Sequence, residues 1–238
     1  INHEDERLAR YSGLAGRGRI IYMPGIGVDL NHYSRDRLEP DAVASVRSHL
    51  GLSSSDNLFL MVAGFQPGKR HVDAVRALHI MADPHVHLAL AGVGPEMEDV
   101  QALVRQLGLG TSVRFLGNRD DVPTLLAASS GLLLPSVREG LPRSVLEAMA
   151  MRVPVVGTRI RGTDELLGDG AGLLVEVGDV KAMSAAMRSI VQEPEKAQVI
   201  AERAYRKVRR YALSRIISLH HELYAGLLER SPRSDGIL

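Results

Sequence analysis

The chain has 238 residues, of which 45% are apolar and 24% charged; it has no cysteine, and its 29 basic and 28 acidic side chains leave a formal net charge of +1. These values exclude disulfides, thiolate metal centres and cysteine nucleophiles, and the balance of charge removes the strong field on which nucleic-acid binding rests. The length suffices for one sizeable α/β core, while the longest apolar runs, Leu58 to Ala63 and Gly131 to Pro135, are far too short to cross a bilayer.

The first segment, residues 1–18, opens on Ile1 and a polar stretch (His3, Glu4, Asp5, Glu6, Arg7) with neither a signal-peptide pattern nor a lipidation motif. It reads as a linker or the remnant of a preceding domain, and the chain as a fragment of a longer protein. From residue 19 to residue 194, short apolar runs alternate with amphipathic helical patterns, which gives a parallel sheet with helices on both faces. Strands are expected at Arg19–Met23, Leu58–Gly64, Val86–Ala91, Val113–Leu116, Gly131–Leu134, Val153–Gly157 and Gly172–Val175. Val100, Leu103, Val104 and Leu107 recur at helical spacing, as do Val180, Met183, Met187 and Ile190, and Asp121 stands as an N-cap before Pro123. Residues 195–230 lose the strand pattern. A cationic run (Arg203, Arg206, Lys207, Arg209, Arg210) leads into a last helix, with Ser214 as its cap and an apolar stripe through Ile217, His220, Leu223, Tyr224, Leu227 and Leu228. Residues 231–238 read as a flexible tail. The cationic run is a solvated helix face or a peripheral contact with an anionic membrane surface.

The most informative segment is Pro135 to Met151, PSVREGLPRSVLEAMAM, where a buried strand ends in a polar turn and Pro142 starts a helix. Ligands of open parallel sheets bind beyond the carboxyl ends of the strands, and a helix N-terminus there offers free N–H groups to a diphosphate. Glu139, before the helix, and Glu147, inside it, could accept from sugar or ribose hydroxyls; taken alone they read equally as a loop acid and a helix-surface glutamate. Lys69 and Arg70 lie on a polar turn after the strand ending at Gly64, placed to neutralise a phosphate, or else form a solvated basic turn.

This segment resembles the Glu-x7-Glu element of the retaining glycosyltransferases of family four, which have the two-domain GT-B architecture. The resemblance runs from about Ile21 to Val191 through four further blocks: GIGVD at Gly25–Asp29, AGFQPGKRHVDAVRAL at Ala63–Leu78, LALAGVGPEMEDV at Leu88–Val100 and VRFLGNRDDVPTLL at Val113–Leu126. It implies the Rossmann-like C-terminal half of a GT-B fold with a helical C-terminal extension, and a donor site for a nucleotide-diphosphate sugar, UDP ahead of GDP or ADP. Glu139 is assigned to the sugar hydroxyls, the N–H groups of Gly140 and Leu141 to the diphosphate, Glu147 to the ribose and Lys69 to a phosphate. Gly64 and Gly94 belong to turns near the donor, and Asn118 and Arg119 to the loop that holds the base. Many relatives carry an arginine just after the glycine matching Gly64; Phe65 stands there, leaving Arg70 or Arg138 as a substitute cation.

The implied activity is transfer of a sugar to an acceptor glycan or glycolipid of the cell envelope with retention, with no metal or other cofactor, in the cytoplasm or at the inner face of the membrane. The acceptor site belongs to the N-terminal domain, missing here. The alternatives are a non-catalytic nucleotide-sugar-binding module, a decayed gene product or, less well matched, a sugar-nucleotide epimerase. Gly92-Val93-Gly94-Pro95 fails the dinucleotide fingerprint, because Met97 occupies the third glycine position and the proline has no N–H. His85 with His87 and His220 with His221 lack a third ligand at metal spacing, and no serine-hydrolase elbow or P-loop is present.

Overall fold

Strands buried on both faces need unbroken apolar runs, and LALA, GLLL and NLFLMV supply them. The computed structural model describes residues 7, 8, 10, 11, 23–25 and 27–228. Six strands, β1 (Asn57–Val62), β2 (Val86–Ala91), β3 (Val113–Gly117), β4 (Gly131–Leu134), β5 (Val155–Thr158) and β6 (Leu173–Val175), form one sheet in the order β3-β2-β1-β4-β5-β6. Every pairing is parallel. Of the strand expected at Arg19–Met23, only Met23 lies within the described residues, and it is not in a strand.

Nine helices of the described residues surround the sheet: α1 (Ala42–His49), α2 (His71–Met81), α3 (Met97–Gln106), α4 (Val122–Ala127), α5 (Arg143–Ala150), α6 (Arg161–Leu167), α7 (Val180–Gln192), α8 (Pro194–Val208) and α9 (Leu213–Leu228). The period of two along β1 and β4 divides the core. Leu58, Leu60, Leu132 and Leu134 point to the face covered by α4, α5, α6 and the end of α8, while Phe59, Met61 and Leu133 point to the face covered by α2, α3 and α7. The expected stripes on α3 and α7 bury Val100, Val104, Met183, Met187 and Ile190 in the second face.

The C-terminal helices differ from expectation in detail. Ser214 is inside α9, not its cap, because the preceding turn at Arg209–Tyr211 ends at Ala212, where a bridge to Val28 fixes the helix start. Ile216 anchors α9, and the stripe through Ile217, Tyr224, Leu227 and Leu228 is exposed. Within the cationic run, Arg203 and Lys207 donate to the carbonyls of Asp169 and Gly168 just past the end of α6, as expected of cations at a helix C-terminus. No helix among the described residues is long and apolar enough to cross a membrane.

Leu133, fully buried at the middle of β4, is expected to cost roughly 2–5 kcal/mol when changed to alanine. Urea unfolding of Leu133→Ala against Ile80→Ala, whose residue is 44% exposed, checks this: the second variant should stay within about 0.5 kcal/mol of the parent.

Candidate functional site

The loop after β1 and the loop after β4 meet at the carboxyl edge of the sheet. Pro67–Lys69 forms a single 3-10 turn, and the Val137 N–H donates to the Gly68 carbonyl at 2.9 Å, fastening one loop to the other. Across this fastening Lys69 Nζ lies 2.6 Å from Glu139 Oε1, with the lysine side chain 31% and the glutamate side chain 10% exposed. Arg70 does not join them. Its backbone is left-handed (φ 53°), and its guanidinium is held as a fork by the buried Asp73, at 2.5 and 3.0 Å. Arg138, the other candidate cation, is exposed and makes no ion pair among the described residues.

The Glu139 loop is braced from β5. Thr158 Oγ1 donates to the Ser136 carbonyl at 2.5 Å, and the hydroxyl of Thr163 donates to the Thr158 carbonyl. Gly162, in the first turn of α6, lies directly behind the loop: a Cβ there would sit 2.3 Å from the Gly140 carbonyl oxygen. The N–H groups of Gly140 and Leu141 engage no backbone acceptor among the described residues. They precede α5, whose first N–H groups also lack helical partners and whose start carries partial positive charge. Pro142 takes the N-cap position, one residue before the helix proper.

A cavity of about 330 Å³ opens beyond the ends of β1, β2 and β3, lined by Gly64, Gly92, Asn118 and Arg119 among others. The Arg119 guanidinium is itself forked onto Asp121 at 2.8 and 2.6 Å, so Asp121 holds this arginine and makes no side-chain cap on α4. Gly94 contributes by close approach, since a Cβ on it would lie 2.4 Å from the Phe65 carbonyl oxygen. Phe65 is fully buried, stacked on the His71 ring at 4.0 Å between centroids and against Phe115 at 6.0 Å. Position 65 is thus part of the core and presents no group to the cleft.

His71 opens α2 just past the Lys69 turn and is fully buried. Its ring nitrogens lack a well-formed hydrogen bond; the Ala63 backbone is the polar group acting on them. Burial, against that weak partner and with Lys69 nearby, pushes its pKa down to about 4. The ring is therefore neutral and cannot serve as a second phosphate cation near pH 7.

Glu147 stands apart. It is 8% exposed and lines a different cavity, of about 370 Å³, with Asp29, His32, Tyr33 and Arg143. Burial, and then the carboxylate to which it is hydrogen bonded, push the Tyr33 phenol up; Arg143 Nη2 lies 3.8 Å from Glu147 Oε1. His85 and His87 share a target, with ring nitrogens 3.0 and 3.8 Å from the two oxygens of Asp56. Among the described residues no group of three or more metal-ligating side chains could hold an ion.

The structure thus joins Lys69 with Glu139, Gly140 and Leu141, and joins Gly64 with Asn118 and Arg119, while Glu147 lies at a second cavity and Arg70 is held by Asp73. Sequence reasoning did not find Tyr33, Thr158, Thr163 or Gly162. Gly162 alone left a signal, as a glycine in a helical turn with no capping duty.

Residues 44–207 match the family model of the glycosyl transferases group 1. The chain is 32% identical over 189 residues to an N-acetyl-alpha-D-glucosaminyl L-malate synthase of Bacillus anthracis, covering 78% of the chain and 50% of that protein. It is 33% identical over 195 residues to the lipopolysaccharide core biosynthesis glycosyltransferase LpsE of Rhizobium meliloti, covering 82% of the chain and 50% of that protein. Crystal structures of Anabaena HepE in complex with UDP and glucose share its fold, with TM-score 0.82 and 24% identity over 92% of this chain and 61% of the other. The chain spans about half the length of the curated relatives it matches.

Because His71 titrates near 6.5 when unfolded and about 4 when folded, the unfolded chain takes up the proton first, and stability falls as pH drops through that window. The histidine's share is about 1–2 kcal/mol between pH 6.5 and 5, and about 3 kcal/mol by pH 4. Denaturant unfolding at pH 6.5 and 5 should show a flatter pH dependence for His71→Leu by that first amount; equal slopes would contradict a buried neutral ring.

Proposed function

Since the chain belongs to the glycosyl transferases group 1, we propose that the cleft around Lys69 and Glu139 is the donor half of a site that transfers a sugar from a nucleoside-diphosphate sugar with retention. The observation that carries this reading is the junction itself: a cation, a carboxylate only 10% exposed and N–H groups without a backbone acceptor before a helix meet at one point of the sheet edge. Breaking the anomeric C–O bond leaves the electron pair on the diphosphate oxygen, while the acceptor hydroxyl oxygen forms the new bond to the anomeric carbon and its proton passes to the departing diphosphate. Fixed positive groups at the diphosphate lower that barrier. Lys69 and the N–H groups of Gly140 and Leu141 take this role, and Glu139 holds the sugar through its hydroxyls, turning remote binding into orientation.

The base is assigned to the cavity beside Asn118 and Arg119, whose forked pair with Asp121 gives it a rigid wall. UDP is favoured because it is the nucleotide named in the HepE complexes. Glu147 is assigned to the ribose, with Tyr33 and Arg143 holding its carboxylate. The acceptor, a glycan or glycolipid of the cell envelope as in LpsE, is assigned to the part of the relatives that this chain does not span. One observation favours a second reading, a binding module without catalysis: the core position of Phe65 leaves Lys69 as the cation facing the junction.

Calorimetric titration of the chain with UDP, GDP, ADP and their sugar conjugates tests the donor site. The UDP series should bind, and Lys69→Ala should weaken both UDP and its sugar conjugates by about 10- to 100-fold, the worth of a hydrogen bond to a charged group. Silence from every nucleotide in the folded protein overturns the proposal.

A further inference from the structure

Resting on the donor reading above, we infer that the Lys69–Glu139 pair is a discriminator: it sets the site against the bare nucleoside diphosphate that transfer leaves behind and yields to a ligand that still carries a sugar. The two groups are 2.6 Å apart, and the carboxylate is the more deeply placed, 10% exposed against 31% for the lysine. The backbone bond from Val137 to Gly68 ties their two loops together, so the backbones stay adjacent and the pair opens only by movement of the side chains. A diphosphate that captures Lys69 therefore does two things to Glu139. It removes the carboxylate's cation, and it brings negative charge up to it.

A buried carboxylate stripped of its partner is costly. Among the neighbouring cations, Arg70 has its Nε and Nη2 on Asp73, Arg143 faces Glu147, and Arg138, exposed beside Glu139, makes no ion pair with it among the described residues. A sugar on the diphosphate supplies what is missing, since its hydroxyls can donate to Glu139 as Lys69 turns to the phosphate. The intact donor thus exchanges one satisfied arrangement for another, whereas the nucleoside diphosphate leaves Glu139 unpaired. After transfer, when the sugar has gone to the acceptor and the leaving diphosphate remains, Glu139 competes for Lys69 and favours release. Glu139 is in this sense a specificity-determining residue as well as a sugar contact.

The test is titration of the full chain with UDP and UDP-glucose, and with GDP and GDP-mannose, in the parent and in Glu139→Gln, which keeps the shape and removes the charge. The variant is expected to bind the bare diphosphate roughly three- to tenfold more tightly than the parent, while its affinity for the sugar conjugate holds or falls. A bare-diphosphate affinity that is unchanged or weaker in Glu139→Gln overturns the inference and leaves the donor reading standing; a parent that binds neither pair overturns both. A Lys69→Gln background separates pairing from simple repulsion. The gain must shrink there to what repulsion alone gives, and a gain that persists at full size shows that the ion pair is not its source. Should Glu139→Gln melt early by circular dichroism, Glu139→Ser carries the same comparison.

Discussion

The site depends on the adjacency of β1 and β4. Strand order reverses between them, so the chain leaving β1 turns to α2 on one face of the sheet and the chain leaving β4 turns to α5 on the other. A crevice opens where neighbouring strands part in this way, and ligands of open α/β sheets enter it from the carboxyl side. The hydrogen bond between Val137 and Gly68 spans that crevice and sets its width. Lys69 and Glu139 are 70 residues apart in sequence and in contact only because their strands are register partners in the sheet, Phe59 opposite Gly131 and Leu60 opposite Leu132.

Around this junction the charges are individually tethered. Arg70 adopts a left-handed backbone at some conformational cost, on the order of 1–2 kcal/mol for a residue with a Cβ, and the fork to Asp73 is the visible offset. Arg119 is tethered the same way by Asp121. Phe65, His71 and Phe115 fill the region behind the Lys69 turn with aromatic packing, and the neutrality of the buried imidazole is the electrostatic counterpart of that packing. At the junction itself Lys69 is the cation paired with Glu139, beside the fixed dipoles of the loop before α5.

Local chemistry made most of this fold legible. Unbroken apolar runs located six strands because strands of a parallel sheet must be apolar on both faces, and the stripes on α3 and α7 located the helices that cover them. The misplaced edges have local causes. β5 begins at Val155 and not Val153, because the Val153 N–H is already bonded to the Ala148 carbonyl and Pro154 has no N–H to give. Asp121 does stand at the N-cap of α4, its carbonyl accepting from Thr124 and Leu125, but a bidentate guanidinium two residues away takes its carboxylate in place of a side-chain cap. At the site, residue types and order pointed to Lys69, Glu139 and the Gly140–Leu141 turn. No pattern along the chain could reveal that Tyr33 reaches Glu147 across 114 positions, or that Gly162 leaves room for the Gly140 carbonyl, since both are contacts between elements whose spacing only the fold determines.

A site shaped to stabilise developing negative charge faces a difficulty when empty, because fixed positive groups in a partly desolvated crevice need partners of their own. Backbone N–H groups escape it: they carry partial charge, and at an exposed turn such as Gly140 water satisfies them. A lysine does not escape so easily, and here the partner is a carboxylate from the opposite loop, itself too buried to be comfortable alone. The pair satisfies both charges, so on the donor reading a ligand that draws Lys69 away must bring hydroxyls as well as phosphates. On that reading, proposed above, selectivity for a sugar conjugate over the bare diphosphate would then rest on that same pair of side chains, with Lys69 as the member that moves.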